Sequence, residues 1–137
     1  MIQFTVYGPI KGKARARVTT SKNGKVFAFT PKNTLDFENR IRAYATEVKP
    51  LSPIQGPVAM ELNCYFLIPK TKIKKDKSLQ PRYKISKPDS SNILKAVEDA
   101  LNKIIYHDDA QIVDTRVRRE YTEEQERIEV KIMPIGD

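Results

Sequence analysis

Residues 87–114 read KPDSSNILKAVEDALNKIIYHDDAQIVD. Within them Ile93, Leu94, Val97, Ala100, Leu101 and Ile104 recur at three- and four-residue spacing, while Asn92, Lys95, Glu98, Asp99 and Asn102 fall opposite, which is the pattern of an amphipathic helix. Pro88 halts any helix before it, and Asp89, Ser90 or Ser91 can each accept from the orphan N–H groups of a first turn. The helix is therefore expected to start at about Ser91 and to end near Asn102. Such a helix is roughly 18 Å long at about 1.5 Å per residue, and the extended residues after it can cover about 23 Å. The chain can turn back, and Asp109 can approach Asp89.

Carboxylates brought that close repel unless one takes up a proton or a cation lies between them. A hard divalent ion such as Mg²⁺ seeks carboxylate oxygens and keeps waters for a substrate. The plainer alternative is that Asp89 caps a helix and Asp108-Asp109 opens a turn. Spacing alone does not choose between them.

Composition narrows the field. The 137 residues carry 25 Lys and Arg against 17 Asp and Glu, for a net charge of +8, and the length suits a single domain, residues 1–137, with a core of its own. The charge is uneven: residues 11–25 hold six basic groups and no acid, residues 70–87 hold eight against one, and residues 88–137 hold seven against twelve. Two basic blocks flanking an acidic end suit a polyanion, because Lys and Arg that neutralise phosphates release condensed counterions, and basic arms can hold a DNA backbone against an acidic site that would otherwise repel it. The lone cysteine, Cys64, rules out an internal disulfide framework and reads as a buried thiol within an apolar run. With a single histidine and no CxxC, zinc is not expected. No basic and apolar leader opens the chain, and no run approaches the ~18 apolar residues of a membrane span. A cytoplasmic protein without a membrane partner is the expectation.

Alternation makes residues 2–7 a strand ended by Gly8-Pro9. Asn23-Gly24, between residues 18–20 and 26–29, predicts a hairpin, read together with Lys13, Arg15 and Arg17 as a basic ribbon or loop on DNA. A helix beginning at Thr30 or Asn33-Thr34, with Leu35, Phe37, Ile41, Tyr44, Ala45 and Val48 inward, runs to Pro50 and is expected to cover a sheet without contributing chemistry. Residues 58–68 form a strand with Val58, Met60, Leu62, Cys64 and Phe66 on one face. Residues 70–86 lack periodicity and are expected to stay mobile until bound, with Tyr83 read as packing locally and base stacking as the alternative. Residues 112–120, with Arg116, Arg118 and Glu120 outward, and 127–133 are strands expected to pair as a hairpin across a polar turn at 122–125. The fold class is α+β, a small mixed or mainly antiparallel sheet covered by two main helices.

The pattern PDxxNxxKxxxDAL, here Pro88-Asp89, Asn92, Lys95 and Asp99-Ala100-Leu101, followed by Asp108-Asp109-x-Gln111-Ile112, resembles the RusA family of Holliday junction resolvases, often encoded by phages and prophages. The N-terminal half is similar in plan, with Gly8-Pro9 after the first strand, the cluster Lys13, Arg15 and Arg17, and Thr30-Pro31 before a helix. The resemblance implies a homodimeric crossover junction endodeoxyribonuclease of DNA recombination and repair, using Mg²⁺, with Mn²⁺ able to substitute, to cut four-way junctions. It further implies Asp89 and Asp109 as metal ligands and Lys95 as an essential neighbour. The family's second acid, two residues after the first, is Ser91 here, so Ser91 or Asp108 is left to complete the shell. Phosphate contacts are expected from Lys13, Arg15, Arg17, Lys74, Lys75, Lys77, Arg82 and Lys87. His107 reads as solvent-facing rather than as a general base. Two rivals remain at this point: a branched-DNA-binding protein weakened or inactivated by Ser91, and an interaction module whose basic loops touch acidic protein or RNA.

Overall fold

A computed structural model describes residues 1–14 and 17–136, and of Arg17 the backbone only. Strand β1 (Ile2–Tyr7) is followed by β2 (Arg17–Thr20), β3 (Val26–Phe29), helix α1 (Lys32–Val48), β4 (Val58–Leu67), helix α2 (Ser90–Leu101), β5 (Ile112–Thr122) and β6 (Arg127–Pro134). β1, β4, β5 and β6 form one sheet in the order β1-β6-β4-β5, and β2 and β3 form a separate ribbon. The α+β architecture of two helices over a mixed sheet is the one expected.

Period-two alternation sets the faces. Phe4 and Val6 of β1, Ile128, Val130 and Ile132 of β6, and Val58, Met60, Leu62, Cys64 and Phe66 of β4 are buried beneath the helices, while Glu61, Asn63, Glu129 and Lys131 lie on the other face. α2 contributes Ile93, Val97 and Leu101, all fully buried, each worth about 1.5–3 kcal/mol of apolar burial. Their packing fixes the roll of α2 and hence the direction of its polar side.

The expected hairpin of the last two strands does not form. β5 runs parallel to β4, with Leu62 opposite Val117, and β6 is inserted between β1 and β4, antiparallel to both. Residues 123–126 cross the end of β4: Glu126 accepts from Leu67 N–H at 3.0 Å through Oε1 and from Ile10 N–H at 2.8 Å through Oε2. β6, with three buried aliphatic residues, takes a central place, whereas exposed residues in the first half of β5 suit an edge. A parallel β4–β5 pair obliges the chain to return from one end of the sheet to the other, and residues 68–111, including α2, make that crossover.

One further expectation changes. The inward face of α1 is Thr34, Phe37, Glu38, Ile41 and Ala45, while Leu35, Tyr44 and Val48 are exposed, so the buried stripe contains two polar residues. Residues 70–86, read as lacking periodicity, carry two 3₁₀ turns and contact β5 and the turn after it through Lys77 to Glu123, Arg82 to Glu120 and Lys72 to Tyr121. The β2–β3 ribbon forms as expected around Gly24, whose φ of +78° favours glycine. Val18, Val26, Phe27 and Phe29 on it are exposed.

Candidate active site

The site is built on the polar side of α2. Asp89 is its N-cap: Oδ1 accepts from Asn92 N–H at 3.0 Å and from the Ser91 hydroxyl at 3.3 Å. The start of the helix is held from β5 by Arg119, which alternation turns to the helix side, opposite in sense to Arg116 and Arg118. Its guanidinium donates to the carbonyls of Ser86 (2.8 Å) and Pro88 (3.0 Å) and to Ser90 Oγ (3.1 Å). Three bonds to one planar group fix the turn that carries Asp89.

At its other end α2 stops at Leu101, and Lys103 takes a left-handed φ of +66° that reverses the chain. Tyr106 then buries its ring and donates its hydroxyl to the Glu98 carbonyl at 2.8 Å, laying residues 107–109 back along the helix. Gln111 locks that return. Its Oε1 accepts from His107 and Asp108 N–H, at 2.8 and 2.9 Å, and its Nε2 donates to the Ile54 and Gly56 carbonyls, at 2.8 and 2.9 Å. All the bonding capacity of one amide is used to set the loop from which Asp109 projects.

Asp109 meets Lys95. The ammonium lies 3.4 Å from Asp109 Oδ2 and 3.0 Å from Asp99 Oδ1. Asp99 Oδ2 in turn pairs with Lys13 at 3.2 Å, Lys13 with Glu38 of α1 at 2.7 Å, and Glu38 with Arg42 at 3.6 Å. A row of alternating charge thus runs from α1 across α2 to Asp109, and the Glu38 carboxylate within it is only 4% exposed. Lys13 can enter because Gly12 lies against α2: a Cβ there would fall 2.9 Å from Asn92 Cβ and 3.0 Å from Pro88 Cβ. Thr34 Oγ1 donates to the Gly12 carbonyl, and Lys13 N–H donates to the Asn92 carbonyl.

The charges tune one another. Hydrogen bonding to Asp99, outweighing desolvation, holds the Lys95 ammonium above its ordinary range. Lys13 is also raised, the pull of Glu38 and Asp99 exceeding the opposing effect of its burial. Burial, with Asp109 and Asp99 nearby, pushes the Glu98 carboxyl upward. Both lysines are cations at neutral pH.

Residues 7–133 match the family described as Endodeoxyribonuclease RusA. The chain belongs to the RusA endodeoxyribonuclease family. It is also 39% identical over 143 residues to the uncharacterized protein YqaN of Bacillus subtilis (strain 168), an alignment covering 98% of this chain and 97% of that protein. Among the described residues no helix is long and apolar enough to cross a membrane.

Of the RusA-like positions read from sequence, Lys95 and Asp109 are brought into contact. Asp89 caps the helix about 9 Å of axial rise before Lys95, and Ser91 is bonded to Asp89. Asp108 and His107 are exposed. Among the described residues no three acidic, histidine or cysteine side chains converge to hold a metal ion. Asp89 is engaged by the helix start and Asp109 by Lys95. Their chemistry is nonetheless that of hard oxygen donors, which fits Mg²⁺.

Of the basic residues, Lys13 pairs with Glu38 and Asp99 and keeps a quarter of its side chain exposed. Lys74, Lys75 and Lys87 are exposed, Lys77 and Arg82 pair with acids on or just beyond β5, and Arg15 lies outside the described residues, as does the Arg17 side chain. Glu38, Arg119 and the amide of Gln111 were not singled out as site-building groups from sequence.

Proposed function

We propose that this RusA-family nuclease cleaves phosphodiesters of four-way DNA junctions with Mg²⁺, in DNA recombination and repair. The observation that carries the reading is the Lys95 ammonium, held between Asp99 and Asp109 on the same polar side of α2 that Asp89 begins. Asp89 and Asp109 would hold the cation, with Asp108 or Ser91 completing its oxygen shell, and Mn²⁺ would fill the same donors. When bound, the ion supplies positive charge to the phosphate oxygens and to an attacking water.

The protein's own groups do the rest. Lys95 Nζ, kept protonated by Asp99, donates to a phosphate oxygen or to the leaving oxygen as charge builds there. Asp99 grips that ammonium from the far side, so the lysine keeps its place with Asp109 engaged elsewhere. Arg119 and Gln111 position the segments bearing Asp89 and Asp109. Exposed Lys74, Lys75 and Lys87 are placed to meet the DNA backbone. A two-fold homodimer would present two sites to the two strands that must be cut symmetrically.

A second reading, junction binding without cutting, is favoured by one feature: Ser91 brings no charge and donates its hydroxyl to Asp89. A synthetic four-way junction incubated with Mg²⁺ or Mn²⁺ separates the two. Paired nicks that vanish in Asp89→Asn and Asp109→Asn, with junction binding kept or tightened, support the nuclease; binding by the wild type without nicks supports the second reading.

A further inference from the structure

The edge of the sheet is notched beside the start of α2. Residues 82–84 pair with the outer side of β5 only near its end, through Lys84 N–H to the Arg119 carbonyl at 3.1 Å and Tyr121 N–H to the Arg82 carbonyl at 2.8 Å. Where that short pairing stops, a cavity of about 430 Å³ opens, lined by Tyr83, Lys84, Ser90, Arg116, Arg118 and Arg119 among others, with no acidic side chain in its wall. Its size lies within the about 300–1,000 Å³ of small-ligand sites, room for one nucleotide and far too little for a duplex.

Its side chains divide by how far they are already engaged. Arg119 is bound to Ser86, Pro88 and Ser90, and Lys84 donates to Ser86 Oγ at 2.8 Å. Arg116 and Arg118 are only loosely paired, 3.7 Å from Glu61 and 4.0 Å from Glu120, and their side chains are 61% and 39% exposed. Such long, solvated pairs are worth little and release their guanidinium donors readily. Tyr83 is 48% exposed, with Arg82 5.0 Å from its ring centroid. A half-exposed aromatic ring backed by a cation is a stacking platform for a base. Ser90 lines the groove and follows Asp89 directly, so a strand leaving the groove passes the start of α2.

We propose that this groove receives a single unstacked nucleotide of the DNA strand beside the cut, its base on Tyr83 and its flanking phosphates on Arg116 and Arg118. The inference rests on the junction-nuclease reading and adds to it a place for the base that branching leaves without a stacking partner. A peptide strand laid along the β5 edge would leave these cations unpartnered, whereas a phosphodiester satisfies them. Lys74, Lys75 and Lys87 hold the backbone regardless of branching; this groove discriminates.

The test is equilibrium binding in EDTA, where no cutting occurs, of a labelled four-way junction and a linear duplex of the same length across a salt series. Tyr83→Leu should weaken junction binding about tenfold and leave duplex binding unchanged, and Tyr83→Phe should restore it. Arg116→Gln and Arg118→Gln should each lower the junction salt slope by about one. Unfolding temperatures within a few degrees of wild type confirm intact folding. Equal losses on junction and duplex, or wild-type values in all variants, overturn the groove while leaving the nuclease reading standing. Failure of the wild type to bind junctions sinks both.

Discussion

Lys13 separates two accounts of the basic N-terminal block. If it were an outward phosphate contact, Lys13→Met would leave stability untouched and flatten the salt dependence of DNA binding by about one phosphate. In the structure it instead sits between Glu38, 4% exposed, and Asp99, 23% exposed. Removing one partner of a buried pair costs about 3–5 kcal/mol. Lys13 is itself a quarter exposed, and Arg42 remains 3.6 Å from Glu38, so solvent and that residual pairing reduce the expected loss to about 2–3 kcal/mol. At about 3–5 °C per kcal/mol for a domain of this length, the midpoint should fall by roughly 6–15 °C. Glu38→Gln combined with Lys13→Met should recover part of that loss, because no buried carboxylate is then left short of a partner. Urea and thermal unfolding of the four proteins give the cycle directly. A loss below about 0.5 kcal/mol for Lys13→Met, or strict additivity in the double variant, would refute the interior tie.

Other consequences can be checked in the same way. Gly12→Ala should displace the start of α2, since its Cβ would press on Asn92 and Pro88 Cβ atoms that no rotamer change can move, and cleavage should fall at least tenfold in a nicking assay. Gln111→Glu loses the donor to the Ile54 and Gly56 carbonyls and should cost about 1–3 kcal/mol in urea unfolding while lowering cleavage, whereas an unchanged rate would show that Asp109 is placed without it. Burial pushes the Cys64 thiol up to about 12, so the folded protein should resist a thiol reagent at pH 8 and react once unfolded in urea.

What the sequence revealed was local. The periodicity and the Asp89 cap placed α2 to within a residue at each end, and Asn23-Gly24 located the ribbon. Lys95 and Asp109, which the structure brings into contact, could be read together because the motif and the return of the chain both lie within one short segment. Strand order was not legible: β5 and β6 alternate equally well, and which becomes central depends on burial against distant strands. Glu38 escaped notice because a glutamate on a helix reads as solvated, yet Thr34 and Glu38 keep helical spacing with Phe37, Ile41 and Ala45, a polar pair inside the apolar stripe. Arg119 had a signal too, since two outward neighbours at Arg116 and Arg118 leave the residue after them facing α2.

Because β4 and β5 point the same way, every reactive group proposed here belongs to one return path, residues 68–111, while the sheet and α1 only receive it. That path behaves as a cassette. Exchanged whole between relatives, it should carry the chemistry with it, provided the recipient supplies Lys13 as the partner of Asp99 and Arg119 to hold the carbonyls of Ser86 and Pro88 beside Asp89. It also places the strand that closes it, β5, behind a long loop closure, so refolding should restore helical signal well before it restores cutting.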